Sequence, residues 1–446
     1  MEKNKNLYVV YCIDTEGPLD EPLDATFERL HQIFHIDMEP TKENLALLQN
    51  KKIDHPDQEE ISKVLGKQLL SYNKNWDEVD SMLDKIMTEK YRNKFLDDEG
   101  NGLIYNWHCL DHVGFEINPR KRDLGYGKVF NHYINKIKEH NSKDKIHWHF
   151  HPIAFNKSAA SSATSYHNSM FFLHQVILRR VIEHDWFPVV NRAGFHTIRQ
   201  DSSFFLEQWI PFDYSNQREY QEEQIEQKDL NNGRFGDWRR APKEWKPYHP
   251  NHDDYQSKGN MRRYTTKCLN IGTRLRLLSD LEIESAFKLA LDEGKAILSF
   301  TNHDFRDMSF DIEDVFPRIF EISKKYSDVK IIHSDAVTAM QDYLYNNNEP
   351  NKNKIELDYH LDKQSSNDGL ITLTINTKQG SVFGPQPYLA IRDKSGAYFH
   401  DNFDEIIPKK SWSYSFDSQT KLFSELETIK VAANDKFGNT QILTIK

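Results

Sequence analysis

Short apolar runs alternate with longer amphipathic stretches over the first three quarters of the chain. The runs are rich in β-formers and predict strands at LYVVYCI (7–13), LIYNWHCL (103–110), KIHWHF (145–150), FPVVN (187–191), AILSFTN (296–302) and VKIIHS (329–334). Helical spacing of apolar positions predicts helices over 168–184, 280–293 and 314–326. This alternation is typical of a parallel sheet, and its length favours an α/β fold of the (β/α) barrel type.

Two stretches interrupt the alternation. Residues 20–100 are charged and helical in character, which predicts a helical insertion after the first strand. Such an insertion either packs on the barrel as a flap or covers the substrate. Residues 216–268 are rich in Trp, Tyr, Pro and His, as in GDWRRAPKEWKPYHPNHDDY. Long loops of compact domains often carry binding groups, so this segment is a second region of interest.

The pattern changes after residue 345. The polar, Asn-rich stretch 346–353 predicts a linker between a barrel domain at 1–345 and a second domain at 354–446. The second domain shows short alternating strands and no helical pattern, which predicts an all-β immunoglobulin-like sandwich. A packing or oligomerisation role and carbohydrate binding both remain open for it.

Composition narrows the classes of partner. Of the 446 residues, 38% are apolar and 28% are charged, and the net charge of -10 argues against a nucleic-acid or anionic-membrane surface. The three cysteines are odd in number and far apart, which favours a reducing compartment over a disulfide framework. The apolar run near the N-terminus is too short for a signal sequence or a transmembrane segment. We therefore expect a cytoplasmic protein.

Polar residues that could bind a metal or take part in catalysis follow several of the predicted strands. In a parallel barrel the carboxyl ends of the strands share one face, where active sites lie. The first strand ends in CIDTEGP, where Asp14 and Glu16 are two residues apart and point to the same side. Two carboxylates at one barrel mouth suit one metal ligand and one general base.

Three histidines alternate in HWHFHP, residues 147–152. The spacing of His147 and His151 brings side chains within about 5–6 Å on a helix, but leaves them about 13 Å apart on a strand. Both could bind one ion only if the strand curls near Trp148. His149 is the alternative partner, because two residues on a strand that are two positions apart lie comfortably close.

Two further stretches place an arginine that could hold a carboxylate and a histidine that could donate a proton at the ends of predicted strands. NRAGFH, residues 191–196, places Arg192 at a strand end, where a guanidinium can hold a carboxylate in its ionised form. SFTNHDFRD, residues 299–307, places His303 and Asp304 directly after an apolar strand. A histidine beside a carboxylate is a natural general acid.

Taken together and in this order, the four stretches resemble the motifs of the polysaccharide deacetylases. That family, carbohydrate esterase family 4, is also called the chitooligosaccharide deacetylase homology domain. The resemblance covers roughly residues 7–345, apart from the helical insertion, and its most specific element is the HxxxHP match. It departs from the usual pattern in the D-x-E spacing of the first motif and in the absence of a proline after Arg192. Asp237-Trp238 is a weak echo of the family's Asp-Trp motif.

The resemblance implies a distorted (β/α) barrel with one divalent ion, usually zinc. Carried over, Glu16, His147 and His151 are the metal ligands and Asp14 is the general base. Arg192 holds Asp14, His303 protonates the leaving amine, and Asp304 is placed to orient the ring of His303. The D-x-E spacing leaves open which of the two acids is base and which is ligand.

The implied reaction removes an N-acetyl group from a sugar. With no export signal expected, the substrate class is an N-acetylated sugar or glycan precursor of surface polysaccharide, from capsule or lipopolysaccharide assembly. Two alternatives stay open. One is a metal-dependent amidase acting on a small non-sugar C–N bond, which a small closed pocket would favour over an aromatic groove. The other is a non-catalytic glycan-binding protein.

Overall fold

The structure, a computed structural model, describes residues 5–220, 236–273, 275–345, 348–363 and 370–446. Parallel strands form a nearly closed barrel, and two antiparallel sheets follow it, so the fold class expected from the sequence is confirmed. The nine barrel strands are β1 (Lys5–Thr15), β2 (Tyr105–Cys109), β3 (Lys145–Phe150), β4 (Val190–Ala193), β5 (Phe212–Asn216), β6 (Tyr264–Lys267), β7 (Leu269–Asn270), β8 (Lys295–His303) and β9 (Val329–His333).

The strands lie side by side in the order β6-β5-β4-β3-β2-β1-β8-β7, and β9 pairs with the first half of β1. The segment from β6 to β7 closes the barrel, because β6 pairs with β5 and β7 pairs with β8. Strands β5, β6 and β7 are absent from the sequence-based expectation. Strand β5 ends where the long segment 216–268 begins, β6 lies within the end of that segment, and β7 follows it. Residues 221–235 of the segment lie outside the described residues.

Helices surround the barrel and build the insertion. They are α1 (Leu23–Phe34), α2 (Lys42–Gln49), α3 (Gln58–Val64), α4 (Trp76–Ile86), α5 (Glu89–Arg92), α6 (Lys128–Glu139), α7 (Met170–His184), α8 (Gln200–Trp209), α9 (Asp280–Glu293), α10 (Ser309–Ser323), α11 (Ala336–Leu344) and α12 (Glu349–Lys352). Helix α9 has the predicted bounds, because the Ser279 hydroxyl accepts from the Glu282 N–H at its start and Gly294 ends it at φ 91°. Helix α10 begins five residues before its predicted start.

The insertion is helical, as the charge pattern predicted, and has a core of its own. Apolar side chains of α1, α2 and α3, among them Phe27, Leu30, Leu48 and Ile61, are buried against one another. A separate core lets this unit pack on the barrel mouth without contributing to the strands beneath it. The short helix α12 lies within the expected linker, of which residues 346 and 347 lie outside the described residues.

Alternation along the strands decides which side chains enter the barrel. On β1, Leu7, Val9, Tyr11 and Ile13 pack outward against the surrounding helices. The residues between them, including Cys12, pack with side chains of β4, β5 and β8 across the interior. The same alternation places Asp14, the next interior position of β1, at the open end of the barrel, above these apolar side chains.

The C-terminal domain consists of two four-stranded antiparallel sheets, ordered β10-β11-β15-β14 and β13-β12-β16-β17. Its strands are β10 (Glu356–Lys363), β11 (Ile371–Gln379), β12 (Tyr388–Asp393), β13 (Tyr398–Asp401), β14 (Asp404–Ile407), β15 (Ser411–Phe416), β16 (Leu426–Asn434) and β17 (Thr440–Thr444). The second sheet packs on the barrel: Tyr388 lies with its ring centroid 5.1 Å from that of Trp209, at the end of α8. Within the described ranges, no helix has the length and apolar character needed to cross a membrane.

Candidate metal centre

The carboxyl end of β1 places two acids at the mouth of the barrel. Asp14 follows the interior positions of β1 and is 2% exposed, and Glu16 lies just past the strand and is 4% exposed. Burying two carboxylates this deeply is costly unless cations or hydrogen-bond donors compensate them. The compensating groups come from β3, β4 and the loops around them.

Two histidines of β3 converge on Glu16. The Nε2 atoms of His149 and His151 lie 3.2 Å apart, and the Nε2 atom of His151 lies 3.5 Å from Glu16 Oε1. All three side chains are buried, and their ligand atoms form one group that could hold a metal ion. Glu16, His149 and His151 are called the metal group below. The Nδ1–H of His149 donates to the backbone carbonyl of Arg192 at 2.7 Å, which directs the lone pair of Nε2 toward the group.

The donor set fits a small divalent ion, and zinc serves as the test of the distances. Two zinc–nitrogen bonds of about 2.0–2.1 Å at a tetrahedral angle separate the nitrogen atoms by about 3.3 Å, close to the separation of the two Nε2 atoms. Two neutral imidazoles and one carboxylate leave one position of a tetrahedron open, as in catalytic sites.

His147 lies outside this group, and this corrects its expected role as a ligand. Its ring faces the barrel interior one layer below His149, where its Nε2 forms a 3.0 Å hydrogen bond with the Asn106 side-chain oxygen. Strand β3 extends regularly through Phe150 and does not curl. The physical reason is strand geometry, because only the pair two residues apart is close enough to share an ion. His149 therefore takes the position expected for His147.

Asp14 is held by Arg192, and the structure brings the two together. The Nε–H of Arg192 donates to Asp14 Oδ1 at 2.6 Å. Although burial opposes ionisation, Arg192, His149 and His303 lower the pKa of Asp14. Oδ2 of Asp14 lies 3.8 Å from His303 Nε2, which is also 3.8 Å from Glu16 Oε1. Asp14 is thus an ionised carboxylate beside the metal group rather than part of it.

Asp304 has a different partner from the one expected. Its carboxylate accepts the backbone N–H of Glu16 and of Gly17, each at 2.8 Å, and the hydroxyl of Tyr133 at 2.8 Å. The Nδ1 atom of His303 has no hydrogen-bond partner among the described residues. Asp304 therefore ties the end of β8 to the turn after β1. It positions Glu16 and does not orient the ring of His303.

Two further residues fix Glu16. The Nη2–H of Arg122 donates to Glu16 Oε2 at 2.5 Å, which leaves Oε1 facing His151. The Nε2–H of His112 donates to the backbone carbonyl of Glu16 at 2.9 Å. Burial opposes ionisation of Glu16, but Arg122 and His151 hold its pKa well below the ordinary value. Neither anchor stands out in the sequence, because both lie in the irregular stretch between β2 and α6.

Gly194 lets the end of β4 approach the histidines. A β-carbon at this position would lie 2.1 Å from His151 Cδ2 and 2.5 Å from the Phe150 carbonyl oxygen. The two residues that follow, Phe195 and His196, have φ of 50° and 54°, a left-handed backbone that is unusual outside glycine. The indole N–H of Trp238 donates to the His196 carbonyl at 3.0 Å, which fixes this turn.

Replacing Gly194 by alanine is expected to weaken metal binding by at least about tenfold, because the new methyl group displaces His151, and ligand placement controls affinity. Competition with a chromogenic chelator measures the affinity. The matched control is Gly66→Ala, where a β-carbon meets only the Lys63 carbonyl oxygen at 3.3 Å and Leu69 Cγ at 4.0 Å. Equal affinities for the two variants would show that the close approach of Gly194 has no role in the site.

A cavity of about 250 Å³ opens above the group. Helix α1 of the insertion forms part of its wall through Arg29, Gln32 and Ile33, so the insertion covers the mouth of the barrel. None of the described residues of 216–268 or of the sandwich lines this cavity. The remaining lining residues are Asp14, Glu16, Arg120, Arg122, His149, His151, Ala159, Ala160, Phe195, His196, Asn270, Thr273, Leu275, Arg276, His303, Phe305 and Arg306.

Comparison of the chain with models of known families, with curated proteins and with solved structures finds no match. The geometry of the site and the order of the motifs in the sequence are therefore the basis for assigning a function.

Proposed function

We propose that the protein is a metal-dependent hydrolase that cleaves the C–N bond of an N-acyl group, most simply an N-acetyl group. The observation that carries this proposal is the buried group of Glu16, His149 and His151, with the ionised Asp14 beside it. Two histidines and one carboxylate make a typical catalytic zinc site, and the adjacent free carboxylate supplies the base that hydrolysis needs.

The roles of the residues follow from their positions. A bound divalent ion would lower the pKa of a water molecule and polarise the acyl carbonyl. Asp14 accepts a proton from the attacking water, and Arg192 holds the carboxylate in place through its other oxygen, Oδ1. His303 delivers a proton to the leaving amine, so that a carboxylic acid and a free amine are released. Because burial lowers the pKa of His303 to about 4, the ring is neutral at rest and obtains this proton from Asp14.

The cavity supports a small substrate. Its volume of about 250 Å³ and its wall from α1 fit a molecule about the size of one sugar unit better than an extended polymer. An N-acetylated sugar precursor of surface polysaccharide remains the first candidate substrate, because of the motif order. A small non-sugar amide is the second, and the cavity favours it because none of the aromatic residues described within 216–268 lines the wall.

The test is acetate release by the zinc-loaded chain from a panel of N-acetylated monosaccharides and N-acetylated amino acids. We expect turnover of at least one compound and loss of turnover after treatment with a chelator, restored by zinc. If a metal-loaded chain released no acetate from any member of a broad panel, the hydrolase proposal would fall. Binding of glycans without turnover would then support the non-catalytic alternative.

Replacing Asp14 by asparagine is expected to lower kcat by about 10²- to 10⁴-fold, the usual contribution of a general base. The amide keeps the size of the side chain, so metal content should stay at the level of the unmodified chain. Measuring kcat and metal content on one preparation shows whether Asp14 acts as the general base or as a metal ligand. Loss of metal in Asp14→Asn would instead make Asp14 a ligand and reverse the two acidic roles.

A further inference from the structure

The side chain of His196 lines the cavity, in the turn after β4. Its Nδ1 atom lies 3.1 Å from Nη2 of Arg192, and the Nε–H of the same guanidinium donates to Asp14 Oδ1 at 2.6 Å. Because Nε and Nη2 lie on one edge of the planar guanidinium group, their two partners lie side by side along that edge. The imidazole of His196 is therefore a neighbour of the proposed general base.

The backbone holds the ring of His196 in this position. Its φ of 54° is left-handed, a conformation that costs energy in residues other than glycine. Behind the turn, a β-carbon at Gly236 would lie 1.6 Å from the His196 carbonyl oxygen, so the two backbone segments are in direct contact. The Gly236 N–H also donates to the Phe195 carbonyl at 3.1 Å. A strained turn that its surroundings hold in place is typical of functional sites.

The contact with Arg192 determines which nitrogen of His196 carries a proton. A guanidinium group has donors only, so Nδ1 accepts through its lone pair and the proton of the neutral ring lies on Nε2. A doubly protonated ring would have no lone pair to offer. Burial and the charge of Arg192 also hold the pKa of His196 well below its ordinary value. The ring is therefore a neutral donor with a fixed tautomer.

The Nε2 edge of the His196 ring faces the cavity. Nδ1 faces Arg192, which is fully buried behind it, and the two ring nitrogens point in diverging directions. The side chain is half-buried, and among the described residues no acceptor pairs with Nε2. Asp14, His149 and His303 line the same cavity. An N–H donor without a partner in the described chain therefore faces the space in which the acyl group of the substrate would lie.

We infer that the Nε2–H of His196 donates a hydrogen bond to the acyl oxygen of the substrate and stabilises the negative charge that develops there as water attacks. The inference rests on the proposed function, because it concerns the same acyl group. A donor that is oriented before the reaction stabilises an oxyanion without further reorganisation. His196 keeps its proton throughout, in contrast to His303, which passes one to the leaving amine. Arg192 aligns both the base and the donor.

Two replacements distinguish this role from simple support of Arg192. In His196→Asn the amide oxygen can take the place of Nδ1 and accept from Arg192, but no donor reaches the position of Nε2. Asparagine also tolerates the left-handed backbone. In His196→Gln the longer side chain carries an N–H donor to the position of Nε2 and leaves Arg192 without its acceptor.

The assay uses the zinc-loaded chain and the N-acetylated compound that it hydrolyses fastest. We expect His196→Asn to lower kcat by about 10²- to 10³-fold, the usual effect of removing one oxyanion donor. KM and metal content should stay unchanged, because the stabilised charge exists only in the transition state. His196→Gln should have a kcat at least about tenfold above that of His196→Asn. The control His167→Asn, which replaces an exposed histidine, should keep the full kcat.

Unchanged kcat in His196→Asn, or a kcat in His196→Gln no higher than in His196→Asn, would overturn the inference and leave the hydrolase intact. A zinc-loaded unmodified chain that hydrolyses no compound overturns the proposed function, and this inference with it. Nitrogen NMR of the metal-free chain, with the His196 signals assigned by their absence in His196→Asn, checks the tautomer without catalysis. The expected result is a proton on Nε2, and a proton on Nδ1 would contradict the donor role.

Discussion

Replacing His149 by alanine is expected to remove the metal ion from the protein and to abolish hydrolysis. In the proposed site the ring supplies one of the three ligand atoms that the described residues offer, and its Nε2 lies 3.2 Å from that of His151. Even the loss of a residue that only supports a ligand costs about 10- to 100-fold in affinity, and loss of a ligand itself costs more. Mass spectrometry of the purified variant, after loading with zinc and removal of excess ion, measures the bound metal directly.

The matched control is His147→Ala, two residues earlier on the same face of β3. Its ring bonds to Asn106 and not to the metal group, so this variant should hold one ion per chain even if it is less stable. His151→Ala should behave like His149→Ala. The opposite result, with metal lost in His147→Ala and kept in His149→Ala, would restore the family's HxxxH spacing and contradict the geometry of the site.

The metal-free protein is expected to lose stability steeply as the pH falls below about 6.5. Burial lowers the pKa of His149 and of His303 to about 4, and that of His112 to about 3. An unfolded histidine binds a proton below about pH 6.5, whereas the folded rings stay neutral. Their contribution is therefore complete above that pH and is lost on acidification, by about 2 kcal/mol for each ring at about pH 5.

The titration of Asp304 changes the stability in the opposite direction to that of the histidines. Burial raises its pKa to about 7, so the folded state binds a proton that the unfolded carboxylate releases, and acidification stabilises the fold through this group. It offsets one of the three rings, so these four groups alone contribute a loss of about 4 kcal/mol at about pH 5, which is large beside a typical stability of about 5–15 kcal/mol.

Urea unfolding in the presence of a chelator, at about pH 8, 6.5 and 5, measures this loss. The variant His112→Gln should have a shallower pH dependence, because one titrating ring is gone. His167→Gln, which replaces an exposed histidine, should keep the full dependence. A free energy of unfolding that is the same at the highest and lowest pH would contradict the buried neutral state of these rings.

Much of the barrel was predictable because its strands carry a strong pattern. Six apolar runs predicted six of the nine strands, since strands buried on both faces are continuously apolar. The three that escaped, β5 to β7, contain buried polar residues. In β5, Asp213 and Ser215 are both fully buried and bonded to Asn191. These polar side chains lie on the outward face of the sheet, opposite Phe212 and Tyr214. Buried polar residues that bond to each other give no apolar signal in the sequence.

The site was predictable in its residue types and less so in its register. Asp14, Glu16, Arg192, His151 and His303 do meet at one face, because the ends of parallel strands share it. Which two histidines meet depends on the conformation of β3. The family spacing suggested His147 and His151, whereas the geometry of the strand brings His149 and His151 together. The role of Asp304 could not be inferred from its neighbour in sequence, because its partners are backbone groups about 290 positions away.

Sequence motifs could not predict that Arg29, Arg120, Arg122, Arg276 and Arg306 line the cavity. They come from α1, from the stretch before α6 and from the loops after β7 and β8, and each is an ordinary charged residue in its local context. Only the fold brings them together. Long-range electrostatics of this kind depends on which loops meet over the barrel, and that information is not carried by any short segment.

The insertion between β1 and β2 covers the barrel mouth with a unit that has its own apolar core. Because the metal group is built on strands and the covering wall on a self-contained unit, selection can alter the two independently. Substitutions on the inner face of α1 can change which compounds are accepted while the reaction stays the same. A library of variants confined to α1 would therefore vary the compounds that the cavity admits while the strands beneath it keep their sequence.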